Sequence, residues 1–165
     1  MLESLTRAYQ YLIFFGNLLK SPILLLCRLY WGWHFLLAGW EKLENIDYFI
    51  QFLGQYHFPF HHFFAYLVGY TEFLGGLCLF IGFASRLAAI PLIITMLTAY
   101  VTVHKDAFHA LLSSPSLFVA EAPFNFLLTA LIVLAFGPGR FSIDFIFERW
   151  LFQRAQAIPK HQHLR

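Results

Sequence analysis

Charge is what this chain has least of. Asp, Glu, Lys and Arg make up 12% of its 165 residues, about half of the roughly 25% found in an average soluble domain. So few polar side chains cannot cover a globule in water. The basic residues form no tract and the formal net charge is only +2, which points away from a nucleic-acid partner. Cysteine is nearly missing: Cys27 and Cys78 make neither a disulfide framework nor a CxxC redox pair. A Gly-rich phosphate loop, an HExxH zinc motif and a serine nucleophile elbow are all absent. What fills the chain instead is apolar. Hydrophobic residues reach 59%, mean hydropathy is +0.64, and aromatics make up 20%, including 21 Phe. The solvent that suits this surplus is lipid. The sequence describes an integral membrane protein, with the bilayer as its first partner.

A spanning helix needs about 20 mostly apolar residues to cross roughly 30 Å of hydrocarbon. Four stretches qualify, at about residues 22–40, 60–83, 87–103 and 117–137. Pro91 predicts a kink or a late start in the third, and Ser85 is placed to cap it. Gly137, Pro138 and Gly139 end the fourth. In residues 1–20, Leu2, Leu5, Tyr9, Leu12 and Ile13 recur at helical spacing, with Glu3, Arg7 and Gln10 on other faces. This predicts an amphipathic arm lying on the membrane. Residues 138–165 predict a second interfacial helix, with Phe141, Phe145, Ile146 and Trp150 set among charges, and a frayed polar end. The expected fold is all-α: one domain over residues 1–165, a polytopic four-helix membrane bundle with interfacial amphipathic helices at both ends. Lys and Arg orient it. Eight of them (Arg7, Lys20, Arg86, Arg140, Arg149, Arg154, Lys160 and Arg165) fall on one side, and only Lys42 and Lys105 on the other. The positive-inside rule then places both termini in the cytoplasm.

Ionisable groups inside a span need partners or a polar cavity, because each costs about 2.5–3.5 kcal/mol on insertion scales. Arg28 lies about 9 Å into the first span and Glu72 about 16 Å from either end of the second. Arginine's long stem can close part of that difference, so the expectation is an Arg28–Glu72 pair between the first two helices. Helical faces favour it. Arg28, Gly32, Phe35, Gly39 and Lys42 share one stripe, and Ala65, Gly69, Glu72, Gly75, Gly76 and Leu79 another. Small residues there let backbones approach closely. Such a pair serves either as a structural clamp or in binding and proton handling.

His34 is the one histidine deep in a span, about 18 Å from Pro22. It reads as a hydrogen-bonded buried histidine or as a quinone contact and proton relay. His57, His61, His62, His104 and His109 gather towards the outer side. They read as a polar interfacial rim, with a Zn²⁺ or Cu²⁺ site as the alternative. Cys27 and Cys78 fall at similar depth and read as packing residues, with a redox pair as the alternative.

Together these residues resemble the DoxX family of small four-helix membrane proteins. The resemblance rests on Arg28, on Gly39-x-x-Lys42, on Pro59 and on Glu72-x-x-Gly75-Gly76. It continues through Gly82, Arg86, Ala88-Ala89, Met96 and His104 to the closing Gly137-Pro138-Gly139-Arg140-Phe141-Ser142-Ile143-Asp144. It spans about residues 22–145, and the order and spacing of the motifs make it specific. The long arm and the wealth of Phe and His depart from the family pattern. The resemblance implies a bacterial inner-membrane protein, related to the membrane subunit of thiosulfate:quinone oxidoreductases, that serves as an oxidoreductase component. Quinone is then the implied cofactor, met by Arg28, Glu72 or His34, with electrons from a redox or membrane protein partner. The alternative is a non-catalytic assembly or anchor protein, or a small transporter that works as a homo-oligomer.

Overall fold

A computed structural model describes residues 2–157. Among them are eight helices and no strand: α1 (Leu2–Glu44), α2 (Ile46–Gln55), α3 (His61–Ile81), α4 (Ser85–Thr102), α5 (Lys105–His109), α6 (Pro115–Ala120), α7 (Ala122–Phe136) and α8 (Ile143–Ala157). The chain is an all-α membrane protein. α1, α3, α4 and α7 form the bundle: α1 packs on α3, α3 on α4, α4 on α7, and α7 back on α1. α2 leans on α3 and α1 at the end where the first and third connections lie. Lys160 and Arg165, used above for the orientation, lie outside the described residues, as does the expected frayed end.

The two stripes read from the sequence are the packed faces. Arg28, Gly32, Phe35 and Gly39 are buried on α1, and all six residues of the α3 stripe are buried too, Gly69 and Gly76 against α1 and Gly75 against Leu92 of α4. A Cβ on Gly32 would come within 2.8 Å of the Phe80 backbone nitrogen, and one on Gly39 or Gly76 would collide with the facing main chain. Lipid tails are as apolar as leucine, so helix association here depends on this close backbone fit. A second cluster, including Phe35, Leu79, Leu92, Met96, Tyr100 and Val133, fills the space between α3, α4, α7 and α1.

Several boundaries differ from expectation. The arm and the first span are one uninterrupted helix with Pro22 inside it. Proline removes a single backbone bond, and residues 23–31 that follow it contain no glycine or turn residue to end the helix. α1 therefore runs for 43 residues, about 65 Å at 1.5 Å per residue. The fourth span begins at Ala122 rather than near residue 117. Glu121 is extended (φ −73°, ψ 143°), and Pro123, at the start of α7, has no N–H to offer the preceding turn. Three helices are long and apolar enough to cross a membrane, while α7 is a shorter apolar helix. Pro91 sits inside α4 without delaying its start. Ser85 does not cap α4. Its hydroxyl has no partner among the described residues, and the cap comes from Asp144, whose carboxylate accepts from the N–H groups of Ala84 (2.6 Å) and Ser85 (2.9 Å).

Candidate functional site

The register of α1 against α3 decides which charges meet. Gly32 faces Phe80, Gly39 faces Phe73, and Leu43 faces Gly69. Glu72 is therefore level with position 40 of α1, within reach of Lys42. Arg28 lies twelve residues away from that level, about 18 Å along the axis, which its side chain cannot cover. The expected Arg28–Glu72 pair is accordingly absent. Lys42 Nζ donates to Glu72 Oε2 at 2.5 Å instead. The Glu72 side chain is 4% exposed and that of Lys42 28%. The Lys42 ammonium also lies 5.7 Å from the centre of the Phe49 ring. The expected first span stopped at Trp40, which left Lys42 outside it although on the same stripe, whereas Lys42 belongs to the last turn of α1.

This ion pair borders a partly open cavity of about 240 Å³. Six phenylalanines line it: Phe35 of α1, Phe49 and Phe52 of α2, Phe58 before α3, Phe64 of α3 and Phe126 of α7. Met96 and the faces of Thr95 and Thr98 close it from α4, and His104 stands at its edge. His104 Nδ1 lies 2.8 Å from Glu121 Oε2, in the break between α6 and α7. The result is an aromatic-lined slot with one part-buried ammonium–carboxylate pair and one histidine–carboxylate pair. Aromatic walls with a few placed polar groups are the usual make-up of a small-molecule site.

Arg28 does different work at the opposite end. Its guanidinium is 1% exposed and donates from Nη2 to the Phe141 carbonyl at 2.7 Å, while Nε and Nη1 have no partner among the described residues. Around it Ser142 Oγ donates to the Gly139 carbonyl and accepts from the Phe145 N–H, and the Asp144 N–H donates to the Gly82 carbonyl. The closing Gly137–Asp144 signature is thus a staple that ties the loop after α7 to α1 and to the α3–α4 turn. His34 is also outside the cavity. Its ring packs on Tyr30 (4.6 Å between centroids) and Trp31 (5.7 Å) of its own helix.

The outer histidines do not converge. The His61 and His62 rings lie against one another, His104 pairs with Glu121, and His57 and His109 are exposed. Among the described residues no three His, Cys, Asp or Glu side chains are grouped to hold a metal. Cys27 and Cys78 are both free, and Cys27 Sγ lies 3.8 Å from the Thr129 hydroxyl.

A helical membrane bundle with an ion pair buried beside an aromatic slot is the class these features define. Within it, the DoxX family profile matches residues 23–105, from the start of the packed part of α1 to the end of α4. A Bacillus subtilis protein named "Putative oxidoreductase CatD" is 30% identical over 125 residues, covering 75% of this chain and 87% of that one. An uncharacterized protein of Haemophilus influenzae is 24% identical over 130 residues, 76% of this chain and 83% of its own length. No solved structure matches. The chain belongs to the DoxX family. The matched segment contains Arg28, Lys42, Glu72 and His104.

Proposed function

We propose that this protein is a multi-pass component of the bacterial inner membrane that binds a quinone headgroup in the aromatic slot and works with an electron-donating partner protein. The carrying observation is the Lys42–Glu72 pair, set among six Phe rings with so little exposed carboxylate. A quinone head is a flat ring with two carbonyl oxygens, and it needs aromatic faces and at least one donor. The slot offers both, and its volume of about 240 Å³ suits a ring whose isoprenoid tail remains in lipid. A bound quinone would supply the two-electron, two-proton chemistry that the side chains lack. Lys42 donates to a ring oxygen from a site of low dielectric, where a charge-assisted hydrogen bond is strengthened. Glu72 keeps that ammonium in place and offers a proton-holding oxygen beside it. His104 and Glu121 form a second proton-holding pair where the slot opens. The name of the Bacillus subtilis relative, an oxidoreductase, supports the redox reading.

The Lys/Arg asymmetry supports cytoplasmic termini, which puts the slot towards the outer face. Protein purified from its native membrane in mild detergent is expected to release near-stoichiometric quinone on solvent extraction. A Lys42→Met variant should release far less, and an Arg28→Gln variant should match the parent. A parent preparation free of quinone, and unable to take it up from added short-chain analogue, rules the proposal out.

A further inference from the structure

The end of the bundle opposite the slot carries a larger concavity of about 740 Å³ that the proposed function leaves unused. Its walls are α1 around Lys20, the first turn of α4, the Gly137–Gly139 turn and the start of α8. Three cations line it, Lys20, Arg86 and Arg140, and none of them is in an ion pair among the described residues. Lys20 rests over the Phe136 ring at 5.2 Å. Arg86 makes one long bond of 3.5 Å to the Ala135 carbonyl and lies across Gly137, where a Cβ would come within 3.2 Å of its guanidinium.

Two carboxylates share the wall but form no ion pair with these cations among the described residues. Asp144 directs both oxygens at the Ala84 and Ser85 N–H groups, and Glu148 stands exposed one turn further along α8. Buried Arg28 lies just behind, hydrogen-bonded among the described residues to the Phe141 carbonyl alone. Three cations against two carboxylates leave the cleft one positive charge in surplus, with unused donors. Its rim is apolar: Leu87 is 71% exposed and Phe136 57%. The bundle helices α4 and α7 begin and end at this level, so in a membrane the cations meet headgroups and the two apolar side chains meet the first acyl carbons. A soluble phosphate would use the cations but would leave Leu87 without a role.

We propose that this cleft binds the phosphate of an anionic phospholipid headgroup, with Lys20, Arg86 and Arg140 as its donors. The proposal rests on the membrane placement of the bundle and not on quinone binding. Native mass spectrometry of the full chain in detergent, with equimolar phosphatidylglycerol and phosphatidylcholine, tests it. Basic residues near an anionic lipid surface contribute enough for a preference of about tenfold or more for phosphatidylglycerol. The Lys20→Gln/Arg86→Gln/Arg140→Gln variant should lose that preference, while Lys42→Met should keep it. Should the triple variant fail to accumulate, exposed Arg140→Gln alone should lower the preference. Equal occupancy by the two lipids, or an unchanged preference in the substituted protein, overturns the proposal. So does displacement of bound phosphatidylglycerol by millimolar inorganic phosphate, which would assign the cleft to a soluble anion.

Discussion

Lys42 joins the packing of the bundle to the chemistry of the slot. Its ammonium neutralises a carboxylate that is almost fully buried, and removing Lys42 leaves that charge uncompensated. That loss costs about 3–5 kcal/mol in known buried pairs. Lys42→Met and Glu72→Gln are each expected to lower the unfolding temperature of the purified protein. The double variant should be less destabilised than the two single changes added together, by more than about 1 kcal/mol. Arg28→Gln combined with Glu72→Gln should instead be additive within about 0.5 kcal/mol, because the two residues share no partner. Strong coupling of Arg28 to Glu72, with none between Lys42 and Glu72, would contradict the observed register. The sequence already marked Glu72 as the intramembrane carboxylate and put Lys42 on the same stripe as Arg28. It could not supply the partner, because the choice depends on the antiparallel offset of two helices. That offset is set by Gly32, Gly39 and Gly76 against facing backbone and not by any local pattern.

At the scale of elements, what was legible and what was not follow the same division between local and distant causes. The spans of α3 and α4 and the stop at Gly137 were readable from apolar runs and from glycine and proline. The cap of α4 was not, since the local Ser85 is idle and Asp144 reaches it from about sixty residues away in sequence. Asp144→Ala is expected to cost about 1–2 kcal/mol, as losing an N-cap does, and to loosen the loop that Arg28 holds. Hydrogen exchange of the Ala84–Leu87 amides should rise in that variant while the Gly69–Gly76 amides of α3 stay protected. The α1–α3 contact itself admits no side chain at Gly39 or Gly76. Leucine at either position should prevent accumulation of folded protein, whereas Gly16→Leu, in a helix stretch with nothing nearby, should be tolerated.

The whole molecule has two unlike ends. One holds the aromatic slot, sheltered by α2, and the other the Arg28 staple and the cationic cleft. Eight Lys and Arg against two support the proposed orientation, which predicts that, with Cys27 and Cys78 replaced by serine, a thiol introduced at Asp106 reacts with an impermeant reagent added to intact spheroplasts. One introduced at Arg149 should react only after lysis. The reverse pattern would turn the slot to the cytoplasm. The fold class was clear from composition, because 12% charge leaves lipid as the only adequate solvent. The slot was not, because its six phenylalanines come from four helices and a connection, and only packing gathers them out of 21. The measurement that bears most directly on its role is a titration of the purified protein with a short-chain quinone, followed by quenching of its aromatic fluorescence. Saturable binding is predicted, weakened about tenfold to a hundredfold by Lys42→Met, the range expected when a hydrogen bond to a charged group is lost, and unchanged by Arg28→Gln. Binding that never saturates, or that survives Lys42→Met at full strength, would show that the pair beside the slot does not hold the ring.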